Sequence, residues 1–587
     1  MRRGAGPPAG SKSPNRAWVP PISAAMNNSH SSVMSGWRAA AIFSRAVRAR
    51  PIAAQSTPGE QLDRHDAIVI GSGFGGGGVA HELVAAGKRV LMLERGDRVP
   101  RGPQNWEFDG SLDLTPFYSK ETPYAVADEI DRTASKLDKL LTKRTAAKSV
   151  ASCYCVGGPS VFYGAVSLRL RPRDFTGDAV LGDSGATWPF DYDTLEPYYG
   201  AAEGLLGVAG EAGTDPTDPP RSSDYPASPA PLSSTSRMIA DAAARRGMKP
   251  FRLPLAINYS ESDSRSACVA CTTCDTYACA IGAKNDVATR VLDPLLAAGL
   301  ELRPNTVVTR LVTEGSRVVG VEAVDRQTGE QLRFEAAQFI LSAGALGTPH
   351  LLLASGIEEL NPGGDVVGRY LTRHCNAIAF GLFPRQVNPA QEFHKQIGLH
   401  DFYFGDMKQP ELGKLGGIQQ LHSPPVGLVH QHLPAGFAHL VGALIVPRMT
   451  GLLVMAEDEP RHDNRVMLRD GDADQFGLPA AEIRHTYTDR DLAARDALLL
   501  RAREVLGEAG ALWCYSHYIH TFSHAAGTVR MGTDPATSAL DEYCRFRGVD
   551  NLRVVDASIL PSGGGVNPSL TVAANALRVG EQLAAER

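Results

Sequence analysis

The chain lacks any long hydrophobic run. No window of its 587 residues approaches the roughly 18 consecutive apolar residues that cross a bilayer, so no transmembrane segment is expected. It also lacks an excess of positive charge, because 59 lysines and arginines face 64 aspartates and glutamates, and a nucleic-acid partner is therefore not expected. Nine cysteines in so long a chain do not resemble the dense framework of a small secreted domain, which favours a reducing, cytoplasmic location. A small molecule is the expected partner.

The N-terminal 60 residues lack acidic side chains before Glu60 and are rich in arginine, proline and serine. This composition predicts a disordered tail. A basic amphipathic helix over residues 37–54 would instead indicate organellar targeting, and the sequence leaves both alternatives open. Ordered structure is expected to begin near Arg64.

The first ordered segment has the pattern of two parallel strands joined by a helix. Residues 65–70 (HDAIVI) are a short apolar run bounded by glycine, and residues 88–94 (KRVLMLE) are a second. Small and apolar residues over 77–87 predict the helix between them. A β-α-β unit of this kind is typical of a parallel sheet.

The turn between the first strand and the helix carries a GxGxxG pattern. Its glycines are Gly71, Gly73 and Gly76, and Glu94 follows about twenty residues later at the end of the second strand. Gly71 suits a tight turn, Gly73 lets a pyrophosphate approach the backbone, and Gly76 allows close packing of helix and strand. The helix N-terminus offers N–H donors to phosphate, and Glu94 can accept from ribose hydroxyls. The pattern predicts a dinucleotide site without separating FAD from NAD.

Three further segments narrow the choice. They are residues 157–164 (GGPSVFYG), residues 342–357 (SAGALGTPHLLLASGI), and a C-terminal block made of residues 524–532, 554–558 and 567–571. Together with the fingerprint, they resemble the glucose–methanol–choline (GMC) oxidoreductases over nearly the whole chain from residue 64. The C-terminal block is the most specific part of the resemblance. Pro159, Tyr163 and Glu358 depart from the family pattern, and nothing at Tyr163 supports covalent attachment of a flavin through histidine.

The resemblance implies FAD as the cofactor and an α/β fold with two domains. A Rossmann-like FAD-binding domain is expected from residues 61–175, 285–370 and 520–587, and a substrate domain of antiparallel sheet and helices from residues 176–284 and 371–519. The substrate is expected to lie between them, over the flavin. The expected FAD contacts are Gly71, Gly73, Phe74, Gly76, Glu94, Arg95, Gly158, Ser160, Val308, Asp556, Ala557 and Pro568.

Two residues of the C-terminal block are the candidate catalytic pair. Alcohol oxidation by a flavin needs a base near the hydroxyl group, and histidine has a pKa close to neutral pH. By resemblance, His524 occupies the position of the catalytic histidine and Asn567 the second catalytic position. Because an asparagine side chain cannot take a proton, Asn567 is expected to hold the alcohol by hydrogen bonds while His524 removes the proton.

Two other features of the candidate site have structural interpretations. His374 also fits a family pattern, and it is expected to pack beside the site rather than to catalyse. Asn567 and Pro568 together resemble a helix start, with Asn567 as the N-cap and Pro568 in the first helical position. The resemblance places that helix N-terminus near the flavin.

Cys268, Cys271, Cys274 and Cys279 form a C-x2-C-x2-C-x4-C run. This spacing is typical of iron–sulfur or zinc ligation. It also resembles a cysteine-rich loop of some bacterial members of the family, in which a metal is not general. We expect a structural or disulfide-capable loop without a metal, and a cluster or zinc remains the alternative.

The sequence thus predicts an FAD-dependent enzyme that oxidises the CH–OH group of an alcohol. Other flavin chemistry on the same fold, by a lyase or a photodecarboxylase, is one alternative. A flavoprotein subunit without turnover is another, and the departures at Pro159, Tyr163 and Glu358 favour it, whereas the presence of both His524 and Asn567 opposes it. The sequence identifies neither the alcohol nor the electron acceptor, which can be oxygen, a quinone or a protein.

Overall fold

A computed structural model describes most of the chain beyond the N-terminal tail. The described residues are 65–106, 118–127, 149–176, 181–182, 184–261, 265–271, 273–390, 392, 395–423, 442, 444–471, 473–519 and 521–586. Residues 1–60, for which the sequence predicts a tail or a targeting segment, lie outside them. None of the helices in the described ranges is both long and apolar enough to cross a membrane.

The described strands and helices are numbered in chain order. The strands are β1 (His65–Ile70), β2 (Val90–Leu93), β3 (Tyr118–Ala127), β4 (Ser149–Cys153), β5 (Phe251–Arg252), β6 (Glu301–Arg303), β7 (Thr306–Glu314), β8 (Arg317–Asp325), β9 (Gln331–Phe334), β10 (Ala336–Leu341), β11 (Cys375–Leu382), β12 (Ile397–Leu399), β13 (Gly416–Leu421), β14 (Met449–Ala456), β15 (Arg465–Leu468), β16 (Ala481–Arg484), β17 (Trp513–Tyr518) and β18 (Leu552–Val554). The α-helices are α1 (Phe74–Ala85), α2 (Tyr192–Leu206), α3 (Ser234–Arg245), α4 (Asp293–Ala297), α5 (Gly344–Ser355), α6 (Asp489–Glu508) and α7 (Ser569–Ala585).

A five-stranded parallel sheet forms the centre of the cofactor side of the molecule. Its strand order is β18-β10-β1-β2-β6, and in the centre of the sheet Ile68 lies opposite both Phe339 and Leu91. These side chains are almost completely buried, which explains why the strands read as continuous apolar runs rather than alternating ones. The predicted β-α-β unit is therefore present, with β1 and β2 as its parallel strands.

Helix α1 begins at Phe74, earlier than the predicted range of 77–87, and includes a run of four glycines. Glycine is a poor helix former, so packing rather than propensity accounts for this run. A Cβ atom on Gly75 would lie 1.6 Å from the carbonyl oxygen of Val555, and one on Gly78 would lie 2.7 Å from the Cβ of Ala576 in α7. The helix can approach the end of β18 and α7 this closely only without side chains.

A six-stranded antiparallel sheet forms the other large layer. Its order is β17-β11-β14-β13-β12-β5, and one of its faces packs against α3 and α6 through Ile239, Ile418, Val454 and Leu498. This confirms the predicted fold class, an α/β cofactor-binding part combined with an antiparallel sheet backed by helices.

Two smaller sheets complete the described fold. The three-stranded sheet β7-β8-β9 is antiparallel, and the four-stranded sheet β15-β16-β3-β4 combines strands from both of the predicted domains. In the latter, β16 pairs with β3 in parallel, with Ile483 opposite Val126. The exact division of the chain into two domains stays a prediction.

Asn551 joins the parallel sheet to the three-stranded sheet. Its side chain accepts from the Val318 N–H at 2.9 Å and donates to the carbonyls of Val318 at 2.8 Å and Ala337 at 2.9 Å. Because Asn551 is buried, water cannot replace these bonds. We therefore expect Asn551→Ala to lower the free energy of unfolding by about 2–4 kcal/mol, the cost of leaving buried backbone groups without partners.

Urea unfolding followed by circular dichroism measures this loss, and Asp550→Ala is the matched control. Asp550 is exposed and its carboxylate accepts only from the Ser316 hydroxyl among the bonds to its side chain, so this change should stay within about 0.5 kcal/mol. Equal stability of the two variants would contradict the role given to Asn551.

Candidate active site

The GxGxxG turn connects the end of β1 to the start of α1. Gly71 has a φ of 99°, and a Cβ atom there would lie 2.3 Å from the carbonyl oxygen of Ser342, so the turn requires glycine. A Cβ atom on Gly76 would lie 2.1 Å from the Gly71 carbonyl oxygen. Gly73 differs, because its Cβ would meet no protein atom within 4 Å. The space in front of the α1 N-terminus is therefore open at Gly73 alone of these three glycines.

A second glycine loop lies beside the first. A Cβ atom on Gly158 would be 3.3 Å from the Cα of Gly73, and the Ser72 hydroxyl accepts from the Gly157 N–H at 2.9 Å. The Ser160 hydroxyl donates to the Gly157 carbonyl at 2.6 Å and accepts from the Val287 N–H at 3.0 Å. The side chain of Ser160 is thus engaged within the protein, and its predicted contact with the cofactor would have to come from its backbone.

Glu94 lies directly after β2 with its carboxylate facing the first glycine loop. One oxygen accepts from the Ser72 N–H at 3.1 Å and the Ser72 hydroxyl at 2.6 Å, and the other accepts from the Gly96 N–H at 2.8 Å. Burial raises the pKa of Glu94 against these bonds. Ser72 was not singled out in the sequence; its place between two of the motif's glycines was the available signal.

The remaining predicted cofactor contacts, Phe74, Arg95 and Val308, have the following neighbours in the protein. Phe74, the first residue of α1, packs edge-on against Tyr163 with 5.5 Å between ring centroids. The Arg95 guanidinium lies over the Tyr154 ring at 4.3 Å and is 3.7 Å from the Asp474 carboxylate. Val308 is buried in β7.

Asp556 and Ala557 follow β18, at the same edge of the parallel sheet as Glu94. The Asp556 carboxylate accepts from the Gly344 N–H at 3.0 Å, the Thr348 hydroxyl at 2.5 Å and the Ser558 N–H at 2.7 Å. The Ala557 carbonyl accepts from the Gly527 N–H at 3.1 Å. Asp556 therefore connects the N-terminus of α5 to the segment that leads towards α7.

His524 and Asn567 lie together, although 43 positions separate them in the chain. The Nε2 atom of His524 is 3.5 Å from the Asn567 Nδ2 atom. On its other side, the Nδ1 atom of His524 is 3.0 Å from the Nδ1 atom of His374. His374 thus touches the candidate base directly, in agreement with its expected place beside the site.

Gln419 is a member of this group that the sequence analysis did not identify. Its Nε2 atom donates to the Oδ1 atom of Asn567 at 2.7 Å. An amide whose oxygen accepts this bond must turn its NH₂ group towards His524. Gln419 lies on β13, far from Asn567 in sequence, and no motif indicated the pairing.

The surroundings of His524 favour its neutral form. Burial lowers the pKa of His524 well below its usual value, and the positive charge of Lys395 lowers it further. The Lys395 ammonium lies 2.5 Å from the Asp275 carboxylate. A neutral imidazole can accept a proton, which is what a base requires.

The predicted helix cap at Asn567 is wrong. Helix α7 begins at Ser569, Pro568 is its cap residue, and no side chain caps it. The Asn567 amide oxygen accepts from Gln419 instead of from a helix N–H. The side chain therefore faces the histidines and not the helix.

The cysteine run forms a loop that packs on the second glycine loop. The Thr276 N–H donates to the Phe162 carbonyl at 2.8 Å, and the Lys284 ammonium donates to the carbonyls of Tyr163, Cys274 and Tyr277 at 2.7–2.9 Å. No disulfide bond joins Cys268, Cys271, Cys274 and Cys279. In the described part of the chain, no three potential ligand side chains are grouped so that they could hold a metal ion.

Comparison with known proteins identifies the family. Two models described as GMC oxidoreductase match residues 143–376 and 460–576. The chain is 30% identical over 551 residues to 6'''-hydroxyparomomycin C oxidase of Streptomyces lividus, covering 89% of this chain and 92% of that protein. The chain belongs to the GMC oxidoreductase family. It is an FAD-dependent enzyme that oxidises CH–OH groups, as its sequence predicted.

Other relatives of this GMC oxidoreductase act as oxidases and as dehydrogenases. Paromamine 6'-oxidase of Streptomyces fradiae is 29% identical and covers 89% of this chain and 91% of that protein. The 2-methyl-1,2-propanediol dehydrogenase of Mycolicibacterium austroafricanum is 27% identical, with 89% and 95% covered. The crystal structure of pyridoxine 4-oxidase from Mesorbium loti has the same fold, with a TM-score of 0.60, 20% identity, and 88% of this chain and 99% of that chain covered.

The residues on the cofactor side fit FAD. The open space at Gly73 lies at the N-terminus of α1, where the N–H groups of the first helical turn have no helical partner. Gly158 adds a second backbone segment without a side chain beside it. These groups suit a pyrophosphate, which binds well at a helix N-terminus.

The contrast between Gly71 and Gly73 yields a prediction about cofactor binding. Gly73→Glu should leave the apoprotein folded, because no protein atom lies near the new Cβ, but it should abolish FAD retention by placing bulk and negative charge against the pyrophosphate. The absorbance of oxidised flavin, measured per chain, reports the amount of bound FAD.

Gly71→Ala is the matched comparison. The new methyl group would collide with the Ser342 carbonyl, so this variant should destabilise the apoprotein itself in a thermal unfolding experiment. A coloured Gly73→Glu protein with normal FAD content would rule out this position for the pyrophosphate.

Proposed function

We propose that this GMC oxidoreductase oxidises a small-molecule alcohol with His524 as the base and Asn567 as the hydrogen-bond donor to the substrate oxygen. The observation that carries the proposal is the convergence of His524 Nε2 and Asn567 Nδ2, 3.5 Å apart. One atom can accept a proton and the other can donate a hydrogen bond. An alcohol oxygen that lies beside this pair, within hydrogen-bond distance of both nitrogen atoms, can use both.

The roles of the two side chains follow from their chemistry. The alcohol O–H donates to Nε2 of His524, and the alcohol oxygen accepts from Nδ2 of Asn567. As the proton moves to His524, negative charge builds up on the oxygen, and the bond to Asn567 becomes stronger because its acceptor becomes charged. Bound FAD supplies the acceptor for the hydride that leaves the carbon. Gln419 keeps the Asn567 amide turned so that it donates rather than accepts.

The residues proposed to hold FAD fall into groups according to the part of the cofactor that they would contact. The N-terminus of α1 at Gly73 and the backbone of Gly158 would face the pyrophosphate, and Glu94 would accept from the ribose. Asp556, Ala557 and Pro568 are proposed for the flavin end. The remaining proposed contacts, of less direct geometry, are those of Gly71, Phe74, Gly76, Arg95, Ser160 and Val308.

Several finer points belong to the proposal. We infer two domains with the boundaries given above, no nucleic-acid partner on account of the negative net charge, and a cytoplasmic location because nine cysteines in so long a chain do not resemble the dense framework of a small secreted domain. Lyase or photodecarboxylase chemistry, and a subunit without turnover, are not favoured by relatives that are oxidases and dehydrogenases. The electron acceptor is left open between oxygen, a quinone and a protein.

The substrate and the acceptor can be tested in one experiment. The purified enzyme is mixed without oxygen with a panel that includes paromamine, 2-methyl-1,2-propanediol, fructose, gluconate, choline and simple primary alcohols. We expect at least one of them to bleach the flavin. Admission of air, and in parallel a quinone, then identifies the acceptor that restores the colour, and a lack of bleaching by every alcohol would oppose the proposal.

The first prediction from this mechanism concerns His524. His524→Ala should retain FAD and slow flavin reduction by roughly 10²- to 10⁴-fold, the usual contribution of a positioned base. The wild-type rate should rise with pH, because only the neutral imidazole accepts a proton, and the rise should lie below pH 6.5 because the pKa of His524 is lowered by burial and by Lys395. Anaerobic stopped-flow measurement across pH gives both quantities.

The rise with pH should be missing in His524→Ala. His462, which is exposed, provides the control, and His462→Ala should keep both the rate and the pH profile. An unchanged rate and profile in His524→Ala would remove this residue from the mechanism.

A second prediction concerns Asn567. Asn567→Ala removes a hydrogen bond to an oxygen that becomes charged, so it should raise the barrier to flavin reduction by about 1–3 kcal/mol. The rise of the rate below pH 6.5 should persist, because His524 is still present. Stopped-flow reduction under the same conditions measures the effect, and loss of the pH-dependent rise in this variant would contradict the division of roles.

A further inference from the structure

The loop before Asn567 is confined by close packing. Gly564 has a φ of 62°, and a Cβ atom there would lie 2.4 Å from Cδ2 of Leu170. A Cβ atom on Gly565 would lie 2.5 Å from the Cα of Gly416. The peptide groups of this loop therefore have little freedom to turn.

Buried charged side chains also hold this loop in place. The Gly564 N–H donates to Oε1 of Glu457 at 2.8 Å, and the other oxygen of Glu457 lies 2.5 Å from the Lys414 ammonium. Lys414 is also 2.6 Å from the Asp174 carboxylate. These three charged groups are buried, and Lys414 is the shared partner of the two carboxylates, so removing Lys414 would take this ion pair from both of them. The Gly564 carbonyl belongs to the next peptide group, whose N–H, that of Gly565, donates to the Tyr403 hydroxyl at 2.9 Å; this bond orients the carbonyl that faces His374.

The direction of the hydrogen bonds follows from that carbonyl. It can only accept, so the Nε2 atom of His374, 2.7 Å away, must carry a proton. In a neutral His374, Nδ1 is then an acceptor. His524 Nδ1 lies 3.0 Å from it and must donate, which leaves the Nε2 atom of His524 without a proton.

The backbone of His374 is held in an uncommon conformation. Its φ is 63°, in the left-handed region that residues other than glycine and asparagine rarely adopt. Its N–H donates to the Asp458 carboxylate at 2.9 Å, and its carbonyl accepts from the Tyr487 hydroxyl at 2.8 Å. Such a conformation persists only where the surroundings enforce it, and it often occurs at functional sites.

Charged side chains lie near both histidines, and each of them is engaged by other groups. The Lys395 cation faces His524 and is paired with Asp275. Near His374, the Asp458 carboxylate is engaged by two backbone N–H groups and by His485 at 3.2 Å.

We propose that His374 is a positioning residue: it receives its orientation from the Gly564 carbonyl, accepts from Nδ1 of His524, and thereby keeps Nε2 of His524 free to take the proton of the alcohol. This inference rests on the proposed function of His524. Tyr403 supports it by holding the peptide group of the Gly564 carbonyl through the Gly565 N–H, and Glu457 holds the preceding peptide group through the Gly564 N–H. No part of this arrangement touches the substrate oxygen except His524.

Two nearly isosteric substitutions separate the hydrogen bond from packing. His374→Leu removes the acceptor and should slow flavin reduction by roughly 10²-fold. This value lies between the effect of losing a residue that orients another and the effect of holding the histidine base in the wrong tautomer. His374→Asn tolerates the left-handed backbone and places an oxygen near the position of Nδ1, so it should recover a large part of the rate. The exposed His462→Asn is the matched control and should behave like the wild type. FAD content and thermal unfolding are measured for each variant.

A combined variant tests whether His374 acts through His524. In the His524→Ala background, His374→Leu should cause no further slowing, because the base that it orients is already gone. The inference would be overturned if His374→Leu slowed flavin reduction equally in both backgrounds, or if His374→Leu alone reduced its flavin at the wild-type rate. Either result would leave the proposed role of His524 intact. If His524→Ala reduced its flavin at the wild-type rate, both the proposed role of His524 as base and the positioning role of His374 would be overturned.

The tautomer itself can be observed without turnover. In protein labelled with ¹⁵N-histidine, the signal that disappears in His524→Ala identifies His524, and we expect it to show a protonated Nδ1 and an unprotonated Nε2 above pH 7. His374→Leu should lose this preference. A protonated Nε2 on His524 in the wild type would overturn the inference.

Gly563→Ala is a second, milder variant in case His374→Leu does not fold. A Cβ atom at Gly563 would lie 3.2 Å from Nε2 of His374 and 3.7 Å from the Thr372 hydroxyl, so the methyl group should push the imidazole away from the Gly564 carbonyl. A smaller slowing and a mixed ¹⁵N signal are expected. A flavin reduction rate and a His524 tautomer identical to those of the wild type would contradict the proposed positioning by His374.

Discussion

Close backbone contact at the carboxyl edge of the parallel sheet is the constraint on which the rest of the site depends. Gly71 and Gly75 lie against the carbonyl oxygens of Ser342 and Val555, which belong to segments that follow β10 and β18. The turn after β1, the N-terminus of α1 and the ends of the neighbouring strands are thereby held together. Ligands of open α/β sheets bind at this edge, so one packing constraint both closes the core and opens the cofactor site.

The candidate catalytic residues are held in a different way, by hydrogen bonds between polar side chains. Gln419 orients Asn567, and His374 contacts His524. Each bond has a defined direction because a carbonyl, an amide oxygen or an unprotonated nitrogen can only accept. A site arranged in this way needs little reorganisation when charge develops, which is the property that makes electrostatic stabilisation effective.

Buried charge is tolerated here only where it is compensated. Lys414 lies between Asp174 and Glu457, and together they hold the loop that leads to Asn567. His524 has no carboxylate partner among the contacts described above, and burial therefore favours its neutral form. The low polarity of the buried surroundings thus has two opposite consequences. It strengthens the ion pairs of Lys414, and it keeps the imidazole of His524 uncharged.

The sequence by itself determined the family, the cofactor and the class of reaction. Local rules suffice for these, because a glycine pattern between a strand and a helix has few alternatives and the C-terminal block is specific. It also indicated His524 and Asn567. Only the tertiary structure decided their neighbours: Gln419 and His374 come from distant strands and turns, and the Asn567 amide bonds across to Gln419 instead of capping α7. Such choices depend on which donors and acceptors the fold brings within about 3 Å, and no local pattern records that distance.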